Sequence, residues 1–522
     1  MELKLVEIRD NQYMSDLYPD GLPSNAIIDK TLTAKGATTC ELDERYAKRN
    51  SIIIEPNVPV IDSKQVKYPN LLGVREGVTD YDVKKYLLDK SIRYKKIIVT
   101  PESYSKVKKA AEYAGVNLFK DFFLLIDECE KVVQEADFRP AIVQPFFDFF
   151  SFDNKALISA TPLSPKLKGF TNHSFSHIKI VPTYDYKKNL SLIGTNNVQL
   201  ECLKQISLND NKKAIFLNSP DYAKTLIDKA DIRNHSKIYC SNQENAINKL
   251  HEDGYNASDS FVSGEILEQY SFFTSRFYSA VDLDTPDKPD IIMVTDCLSK
   301  AQTMIDPFTH SVQITGRFRS GIGNITHITN WKEDLKPKSR EEIIEDMEAQ
   351  KKVYNMLADL KETLTGRERQ LLTEIQERIP IYKVLFRNDD YKGKVNPFLV
   401  ECDIQKSKVE SFYQDLQSLN NAYNETGHFN VSYHYEHYKE KPKAVKAKPL
   451  SRERKLQILE RLQDLKPEGL VLKFLTEEQQ EELRSLRHEA PELCKYYEKF
   501  GMDKIIEIDY DLATMKRQLK SA

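Results

Sequence analysis

The chain has 522 residues, of which 40% are hydrophobic and 30% are charged. At roughly 150 residues per domain, this length predicts three or four domains. The sequence contains no run of about 18 apolar residues that could span a bilayer as a helix, which argues against a membrane partner. The net charge is only −3, so any contact with nucleic acid has to come from local basic patches.

The cysteines and the amino-terminal sequence bear on the cellular compartment. The seven cysteines are scattered, their number is odd and no CxxC pair occurs, so neither a disulfide framework nor a zinc site is indicated. The first seven residues alternate charged and apolar side chains and lack the apolar block of a secretory signal. We therefore expect a cytoplasmic protein.

Two regions show the alternation of short apolar runs and amphipathic helices that is typical of mostly parallel α/β sheets. The first spans residues 22–165 and the second about 200–330, and a polar segment at 171–197 separates them. The predicted strands of the first region are 51–54, 96–100, 122–126 and 156–159, with a helix at 104–114. The predicted strands of the second region are 214–217, 236–239, 271–274, 291–294 and 325–329.

After Trp331 the sequence becomes rich in charged helical stretches, with helices predicted at 339–360 and 366–378. A basic, proline-punctuated stretch from Lys439 is typical of a linker before a helical tail. The resulting domain limits are 1–168, 169–332, 333–438 and 439–522.

The most informative stretch is the apolar run 122–126, which is followed at once by Asp127, Glu128 and, after one cysteine, Glu130. A buried strand that ends in adjacent carboxylates is typical of folds that hold Mg²⁺ and position a water for attack on a nucleoside triphosphate. An acidic pair after a strand can also cap a helix. The neighbouring motifs favour the nucleotide interpretation.

In chain order, the motifs are Thr100-Pro101, the acids at 127–130, Ser159-Ala160-Thr161, Ser279-Ala-Val-Asp282 and Gln313-Ile-Thr-Gly-Arg317-Phe-Arg319. This order and spacing resemble the superfamily 2 helicases over roughly residues 22–330. The resemblance implies an α/β fold with two tandem RecA-like parallel-sheet domains, followed by a mainly helical carboxyl-terminal region.

The resemblance also implies roles for the acids and for the residues that follow. Asp127 would hold Mg²⁺, and Glu128 would be the base that accepts a proton from the attacking water. Ser159, Ala160 and Thr161 would couple the hydrolysis site to the domain interface.

Gln313, Arg317 and Arg319 would act from the second domain, where the family's arginines reach the γ-phosphate and stabilise the transition state. The family's last arginine falls at Ser320 in this chain. Arg319 would then substitute from one position earlier, and Arg317 is the better match.

The phosphate-binding loop departs most from the family pattern. Ala37 stands where the loop lysine belongs, although Gly36 and the hydroxyls of Thr38 and Thr39 are present. Either Lys30 or Lys35 could supply the missing charge, or the site could bind nucleotide without turning it over. The residues expected to bind ATP and Mg²⁺ are Lys30, Thr33, Lys35, Gly36, Ala37, Thr38, Thr39 and Asp282, with Thr38 and Asp127 as metal ligands.

Polar residues that follow predicted strands resemble the family's contacts with phosphate and sugar. Each is also compatible with ordinary turn chemistry, so their order along the chain carries the inference. The first-domain candidates are Pro56, Asn57, Thr100 and Pro101, and the second-domain candidates are Asn218, Ser219, Ser275 and Arg276.

Together, these features predict an ATP-dependent nucleic-acid helicase or translocase. DNA is favoured over RNA because the DECE and QxxGRxR motifs resemble those of the DNA-acting branches of the superfamily. One alternative is a nucleotide-gated nucleic-acid clamp without efficient hydrolysis, favoured by Ala37 and by Ala34 in place of a glycine. A second alternative is an interaction protein that binds a protein partner through its carboxyl-terminal helices.

Overall fold

The computed structural model describes residues 3–33, 35–163, 170, 173, 175–242, 245–278, 283–299, 301–386, 393–439, 452–465, 479, 482–483, 486–487 and 490–521. The chain divides into two compact units. The first consists of Met1–Arg340 with Pro397–Pro442, and the second of Glu341–Asn396 with Lys443–Ala522.

A first parallel sheet is formed near the amino terminus, in the order β1-β8-β2-β7-β6-β3-β5-β4. The central strands β3 and β6 are buried on both faces, as expected of a parallel sheet that helices cover. Its strands are β1 Leu3–Ile8, β2 Ala26–Asp29, β3 Asn50–Ile54, β4 Leu71–Val74, β5 Lys96–Val99, β6 Phe122–Asp127, β7 Asn154–Ser159 and β8 Ser176–Pro182.

A second parallel sheet follows, in the order β12-β11-β13-β10-β14-β15-β9-β16. Its strands are β9 Lys188–Thr195, β10 Lys213–Phe216, β11 Ser236–Tyr239, β12 Ala257–Ser258, β13 Tyr270–Phe273, β14 Asp290–Thr295, β15 Ile325–Thr329 and β16 Phe429–Glu436.

Helices connect the strands and make up most of the carboxyl-terminal region. In the first domain they are α1 Met14–Leu17, α2 Ala37–Leu42, α3 Val58–Lys67, α4 Asp80–Leu88, α5 Tyr104–Ala114, α6 Leu118–Asp121, α7 Lys131–Glu135 and α8 Gln144–Phe149. In the second domain they are α9 Val198–Ile206, α10 Pro220–Ala230, α11 Ala246–Glu252 and α12 His310–Thr315. Beyond it lie α13 Arg340–Glu362, α14 Gly366–Glu377, α15 Pro380–Phe386, α16 Pro397–Phe412, α17 Leu416–Glu425, α18 Arg452–Leu465, α19 Pro491–Glu507 and α20 Leu512–Ser521.

The structure confirms the predicted fold class, which is two tandem RecA-like parallel-sheet domains followed by a mainly helical region. The strands predicted from apolar runs lie within two residues of the observed ones, and α5 has the predicted bounds. Long parallel runs of buried Ile, Leu and Val give the strongest sequence signal, because both faces of such strands are covered.

The segment 171–197 is not a separator, contrary to the sequence-based expectation. It contains β8, which pairs with β1 and β2 in the first sheet, and β9, which pairs with β15 in the second. Both strands mix apolar with exposed or half-buried polar side chains, so neither contains the continuous apolar run from which the other strands are predicted. The accessory region also contributes to the second sheet, because β16 pairs with β9 along eight residues.

Helix α16 contacts both RecA-like domains within the first unit. The ring of Phe398 lies 4.8 Å from that of Phe146 in the first domain. Lys406 Nζ lies 2.7 Å from Asp137 Oδ2, also in the first domain. Gln405 Nε2 donates to Asp306 Oδ2 of the second domain at 3.1 Å. Residues 397–412 are therefore part of the framework that holds the two sheets together.

The second unit has an apolar cluster of its own. Leu459 of α18, Leu493 and Tyr496 of α19, and Met515 of α20 are fully buried in it. Among the described residues, no helix combines the length and the apolarity needed to cross a membrane.

Helix α2, which follows the phosphate-loop sequence, is anchored by a buried carboxylate. Glu41 is fully buried and accepts hydrogen bonds from Arg49 Nη2 at 2.7 Å and from Ser51 Oγ at 2.5 Å. Lys96 Nζ donates to the backbone oxygens of Glu41 at 2.7 Å and Ala47 at 2.9 Å. These bonds tie α2 to the neighbouring strands β3 and β5.

We predict that Glu41→Ala lowers the free energy of unfolding by about 3 kcal/mol, because it leaves the Arg49 guanidinium without its buried partner. The thermal unfolding midpoint should fall by about 5 °C, as measured by circular dichroism. The exposed Glu76 provides the matched control. Glu76→Ala should change the midpoint by less than about 1 °C, and equal effects of the two substitutions would contradict the anchoring role.

Candidate active site

Two adjacent carboxylates lie at the carboxyl end of β6. Asp127 is the last residue of that strand and Glu128 follows with φ of 46°, a left-handed conformation that is uncommon for a residue other than glycine. The Glu128 backbone N–H donates to Asp127 Oδ1 at 3.0 Å. The strained turn holds both side chains at the carboxyl edge of the sheet, and strain of this kind occurs most often at functional sites.

Three neighbouring strands bring a lysine and a serine to these acids. β2, β7 and β6 lie side by side, and their carboxyl ends carry Lys30, Ser159 and Asp127. Lys30 Nζ lies 3.3 Å from Glu128 Oε1 and 3.6 Å from Asp127 Oδ1. Ser159 Oγ donates to Glu128 Oε2 at 3.4 Å.

The phosphate-loop sequence runs from β2 into α2. Gly36 has φ of 75° and precedes α2, where a side chain would be strained. Thr38 Oγ1 donates to Asp127 Oδ2 at 2.6 Å, so the predicted metal-ligating pair is brought together. Ala37 and Thr39 line the cavity beside this loop, and Ala37 contributes no polar side chain to it. Ala34 lies outside the described residues.

Thr33 and Lys35 make contacts that the sequence did not predict. Thr33 Oγ1 donates to the backbone oxygen of Gly316 in the second domain at 2.9 Å. A side chain at Gly316 would meet that hydroxyl at 2.2 Å, so only glycine allows the two domains to approach this closely here. Lys35 Nζ is turned toward the amino-terminal segment, where it donates to the backbone oxygen of Asp10 at 2.9 Å.

The second domain supplies Gln313 and Arg317 at the end of α12. Gln313 Nε2 donates to Glu128 Oε2 at 3.1 Å and to Glu130 Oε1 at 3.0 Å. Arg317 Nη2 donates to Gln313 Oε1 and lies 3.7 Å from Glu128 Oε1. Glu128 is therefore the carboxylate at which the two domains meet. Arg319 is exposed and lines the adjoining cavity, as does Arg317.

The pKa values of the two glutamates in this cluster are shifted in opposite directions. Burial raises the pKa of both Glu128 and Glu130, but at Glu128 the Lys30 and Arg317 cations outweigh it and lower the pKa below the ordinary value. At Glu130, burial and the neighbouring Glu128 carboxylate raise the pKa above the ordinary value. Burial acts to lower the pKa of Lys30, yet Glu128 and Asp127 outweigh it and raise that pKa. Glu128 is thus held as a carboxylate and Glu130 as a neutral acid at neutral pH.

The acids, the loop and the arginines surround one cavity of about 470 Å³. Its wall includes Lys30, residues 36–39, Asp127, Glu128, Arg317 and Arg319. Within the described residues, Arg317 Nε is buried without a hydrogen-bond partner, which is costly unless a further acceptor binds there. Cations with spare donors beside a hydroxyl and a carboxylate fit a polyphosphate and a divalent ion.

Ser159, Ala160 and Thr161 lie between the loop and the acids. The backbone oxygen of Ser159 accepts from the Lys30 N–H at 2.9 Å, and the Thr161 N–H donates to Ser159 Oγ at 2.9 Å. Ala160 is buried, and Thr161 Oγ1 is buried without a partner among the described residues. Ser159 contacts Glu128 directly, and the coupling role of the tripeptide stays a prediction.

The first-domain candidates for nucleic-acid contact lie at the carboxyl ends of β3 and β5. Pro56, Thr100 and Pro101 are buried and Asn57 is half-buried. The Pro56 oxygen accepts from Arg139 Nη2 at 2.8 Å, and the Thr100 N–H donates to the Val74 oxygen at 3.1 Å. These contacts account for the backbone groups structurally, so a nucleic-acid role for this set stays a prediction.

The second-domain candidates lie at the carboxyl ends of β10 and β13, and the structure brings them together. Asn218 Oδ1 accepts from the Ser275 N–H at 3.3 Å. Ser275 and Arg276 are exposed. Ser219 is buried and caps α10, since its Oγ accepts from the Tyr222 N–H at 3.2 Å. Ser275 and Arg276 are therefore accessible to a ligand, whereas Asn218 is half-buried and its Nδ2 also donates to the Gln302 oxygen at 3.2 Å. Ser219 has a structural role.

Sequence reasoning missed a polar network that supports α12. Asp306 Oδ2 accepts from Thr309 Oγ1 at 3.0 Å, and the Asp306 N–H donates to His310 Nδ1 at 3.2 Å. Asp296, just after β14, accepts from Asn330 Nδ2 at 2.7 Å. The sequence contains a signal for this network, because polar residues directly follow the apolar run 291–294. Asp282, which the resemblance implies as a nucleotide-binding residue, lies outside the described residues.

Comparisons with known proteins give similarities of fold at low sequence identity. No family model matches the chain and no curated protein matches it. The structure of S. cerevisiae Dbp5 bound to RNA and ADP BeF3 is 12% identical, with a TM-score of 0.39, over 76% of this chain and 91% of Dbp5. A DEAD box protein from Methanococcus jannaschii is 13% identical, with a TM-score of 0.33, over 59% of this chain and 82% of that protein. RecG bound to a three-way DNA junction is 13% identical, with a TM-score of 0.35, over 74% of this chain and 48% of RecG.

At these identities the likeness is one of fold alone. The chain itself has two RecA-like sheets, acids at the carboxyl end of β6 and an arginine from the second domain beside them. This arrangement is the one that the resemblance to superfamily 2 helicases implies.

Proposed function

We propose that the protein is a nucleic-acid-dependent ATPase of the helicase or translocase type, which hydrolyses ATP with Mg²⁺ between its two RecA-like domains. The observation that carries the proposal is the contact of Gln313 and Arg317 from the second domain with Glu128 of the first. A hydrolytic base that both domains share makes the chemistry depend on how the domains are arranged.

The residues of the cleft divide the work. Asp127 and the Thr38 hydroxyl would hold Mg²⁺, which when bound neutralises charge on the phosphates. Glu128 would orient a water and accept its proton once the cations around it turn to the nucleotide. Arg317 has a guanidinium nitrogen free of partners in the described structure and would stabilise negative charge that develops on the phosphoryl group.

We further propose that a nucleic-acid strand runs across the carboxyl ends of β10 and β13, where Ser275 and Arg276 are exposed and the half-buried Asn218 lies beside them. The motif pattern in the sequence favours DNA over RNA. Opening and closing of the domains on the nucleotide would move these contacts along the strand.

A second candidate is a nucleotide-gated nucleic-acid clamp without efficient turnover. Glu128 favours it, because Lys30, Ser159, Gln313 and Arg317 all engage this carboxylate and its pKa is lowered, which makes it a weak base in this arrangement. An interaction role for the carboxyl-terminal helices with a protein partner stays a prediction.

Glu128→Gln is expected to reduce ATP turnover by 100-fold or more, because an amide cannot accept the proton from water. Nucleotide binding should be retained. The measurement is phosphate release from Mg-ATP with single-stranded DNA, beside fluorescence titration of a labelled ATP analogue. Glu76→Gln is the exposed control and should behave as the parent chain. Unchanged turnover in Glu128→Gln would remove the enzymatic proposal, and a parent chain that binds but never hydrolyses would favour the clamp.

Arg317→Ala should lower kcat by about 10³-fold with a smaller effect on KM, since the arginine acts on charge that develops in the transition state. The exposed Arg93 is a matched control, and Arg93→Ala should leave both constants within twofold. If Arg317→Ala changed KM alone, the arginine would be a ground-state contact only.

Arg276→Ala should raise the concentration of single-stranded DNA that gives half-maximal ATPase stimulation, with basal turnover unchanged. The salt dependence of binding should also weaken by about one unit of slope, as expected for the loss of one phosphate contact. Arg233→Ala is the control, because Arg233 precedes β11 at the opposite end of the sheet. An RNA strand of the same sequence tests the preference, and equal or better stimulation by RNA would contradict it.

A further inference from the structure

The loop that should carry a phosphate-binding lysine has none at the expected position. Ala37 is buried in the cavity wall, so nothing at that position can contact an anion through a charge. The cavity nevertheless contains a buried lysine, which comes from the strand end before the loop. Lys30 is only 7% exposed and lies in the same cavity wall.

A locked turn fixes the direction of Lys30. The next residue, Thr31, has φ of 55°, which is strongly disfavoured for a β-branched side chain. Its N–H donates to Asp29 Oδ1 at 2.8 Å and its hydroxyl to the Ile180 oxygen at 2.5 Å. The Lys30 N–H is bonded to Ser159 as well. The chain thus adopts a strained conformation that points one lysine at the acids, and such strain is retained only where the surrounding structure enforces it.

Two of the other lysines in the cavity wall, Lys35 and Lys67, are placed differently. Lys35 is half-buried, and its ammonium bonds the backbone oxygens of Asp10 and Gln12 and lies 5.2 Å from the ring centre of Tyr184. Lys67 is exposed on α3 and lies 5.4 Å from the ring centre of Tyr68. Lys30, in contrast, contacts both catalytic carboxylates.

The partners of Lys30 are ones that a bound nucleotide would change. Lys30 Nζ donates to Glu128 Oε1 at 3.3 Å and lies 3.6 Å from Asp127 Oδ1, so neither contact is short. A divalent cation on Asp127 would compensate that carboxylate and leave Glu128 as the anion beside the buried ammonium, so a phosphate could replace the contact that is lost. Lysine binds phosphate as a flexible point charge, so it can exchange one anion for another without a fixed geometry.

We propose that Lys30 is the phosphate-binding lysine of this chain, acting from the end of β2 in place of the loop lysine that Ala37 replaces. The proposal rests on the nucleotide site of the proposed function and names the residue that distinguishes a triphosphate from shorter nucleotides there. In the absence of nucleotide, Lys30 neutralises the two acids; with nucleotide, it contacts the phosphate chain.

The test compares the dissociation constants of labelled ATP, ADP and AMP analogues, measured by fluorescence anisotropy with Mg²⁺. The variants are Lys30→Ala, Lys30→Arg, Lys35→Ala and Lys67→Ala. Lys30→Ala should weaken binding of the ATP analogue by about tenfold to 100-fold and leave AMP within twofold, which is the range expected for one charge-assisted contact. Lys30→Arg should keep part of the preference, and the other two variants should keep all of it.

Three results would overturn the assignment. In the first, Lys30→Ala binds the ATP analogue as tightly as the parent chain. In the second, it binds the analogue more tightly and has a higher affinity for Mg²⁺, which would show that Lys30 only occupies the place of the metal ion. In the third, the loss of affinity for the ATP analogue appears in Lys35→Ala. That variant changes a half-buried side chain, so it tests the assignment even if Lys30→Ala does not fold. Because these are binding measurements, a parent chain that shows a Lys30-dependent preference for ATP but no turnover would support this inference while removing the hydrolytic proposal.

Discussion

The ionised Glu128 carboxylate is the interaction on which the rest of the cleft depends. It accepts from Gln313 and Ser159 and lies within ion-pair distance of Lys30 and Arg317, so four side chains from both domains meet at one group. A buried carboxylate is unfavourable unless it is paired and hydrogen-bonded. Each of these side chains therefore stabilises the charge, and the charge in turn holds the two domains together at the cleft.

This arrangement explains how the fold would link chemistry to movement. Asp127, Glu128 and Ser159 are fixed to the carboxyl ends of adjacent parallel strands, whereas Gln313 lies on a short helix of the second domain and Arg317 lies just after it. The cations that now engage Glu128 are the same groups that a nucleotide's phosphates would attract. A competition between the carboxylate and the phosphates for these cations would change the contacts between the domains, which is the physical basis for coupling in a two-domain ATPase.

The sequence predicts some parts of this structure much better than others, for physical reasons. Runs such as 122–126 are apolar on both faces and predict buried parallel strands, and the residues after them predict the site. β16 alternates apolar and polar side chains strictly, and β8 and β9 do so in part, so their signal is a period of two and not a continuous apolar run. The contacts of Lys30 and Thr33 also depend on groups far away in sequence, such as Glu128 and Gly316, and on the left-handed conformation of Thr31, which no local preference predicts.

The most direct test of the account is a double-mutant cycle on ATP turnover with Glu128→Gln, Gln313→Ala and the combined variant. If Gln313 acts only by positioning the Glu128 carboxylate, the double variant should be slower than Glu128→Gln by no more than about threefold, because Glu128→Gln already removes the carboxylate on which Gln313 acts. Losses that multiply across the two substitutions would show that Gln313 acts independently of Glu128, and the shared carboxylate would no longer be the link between the domains.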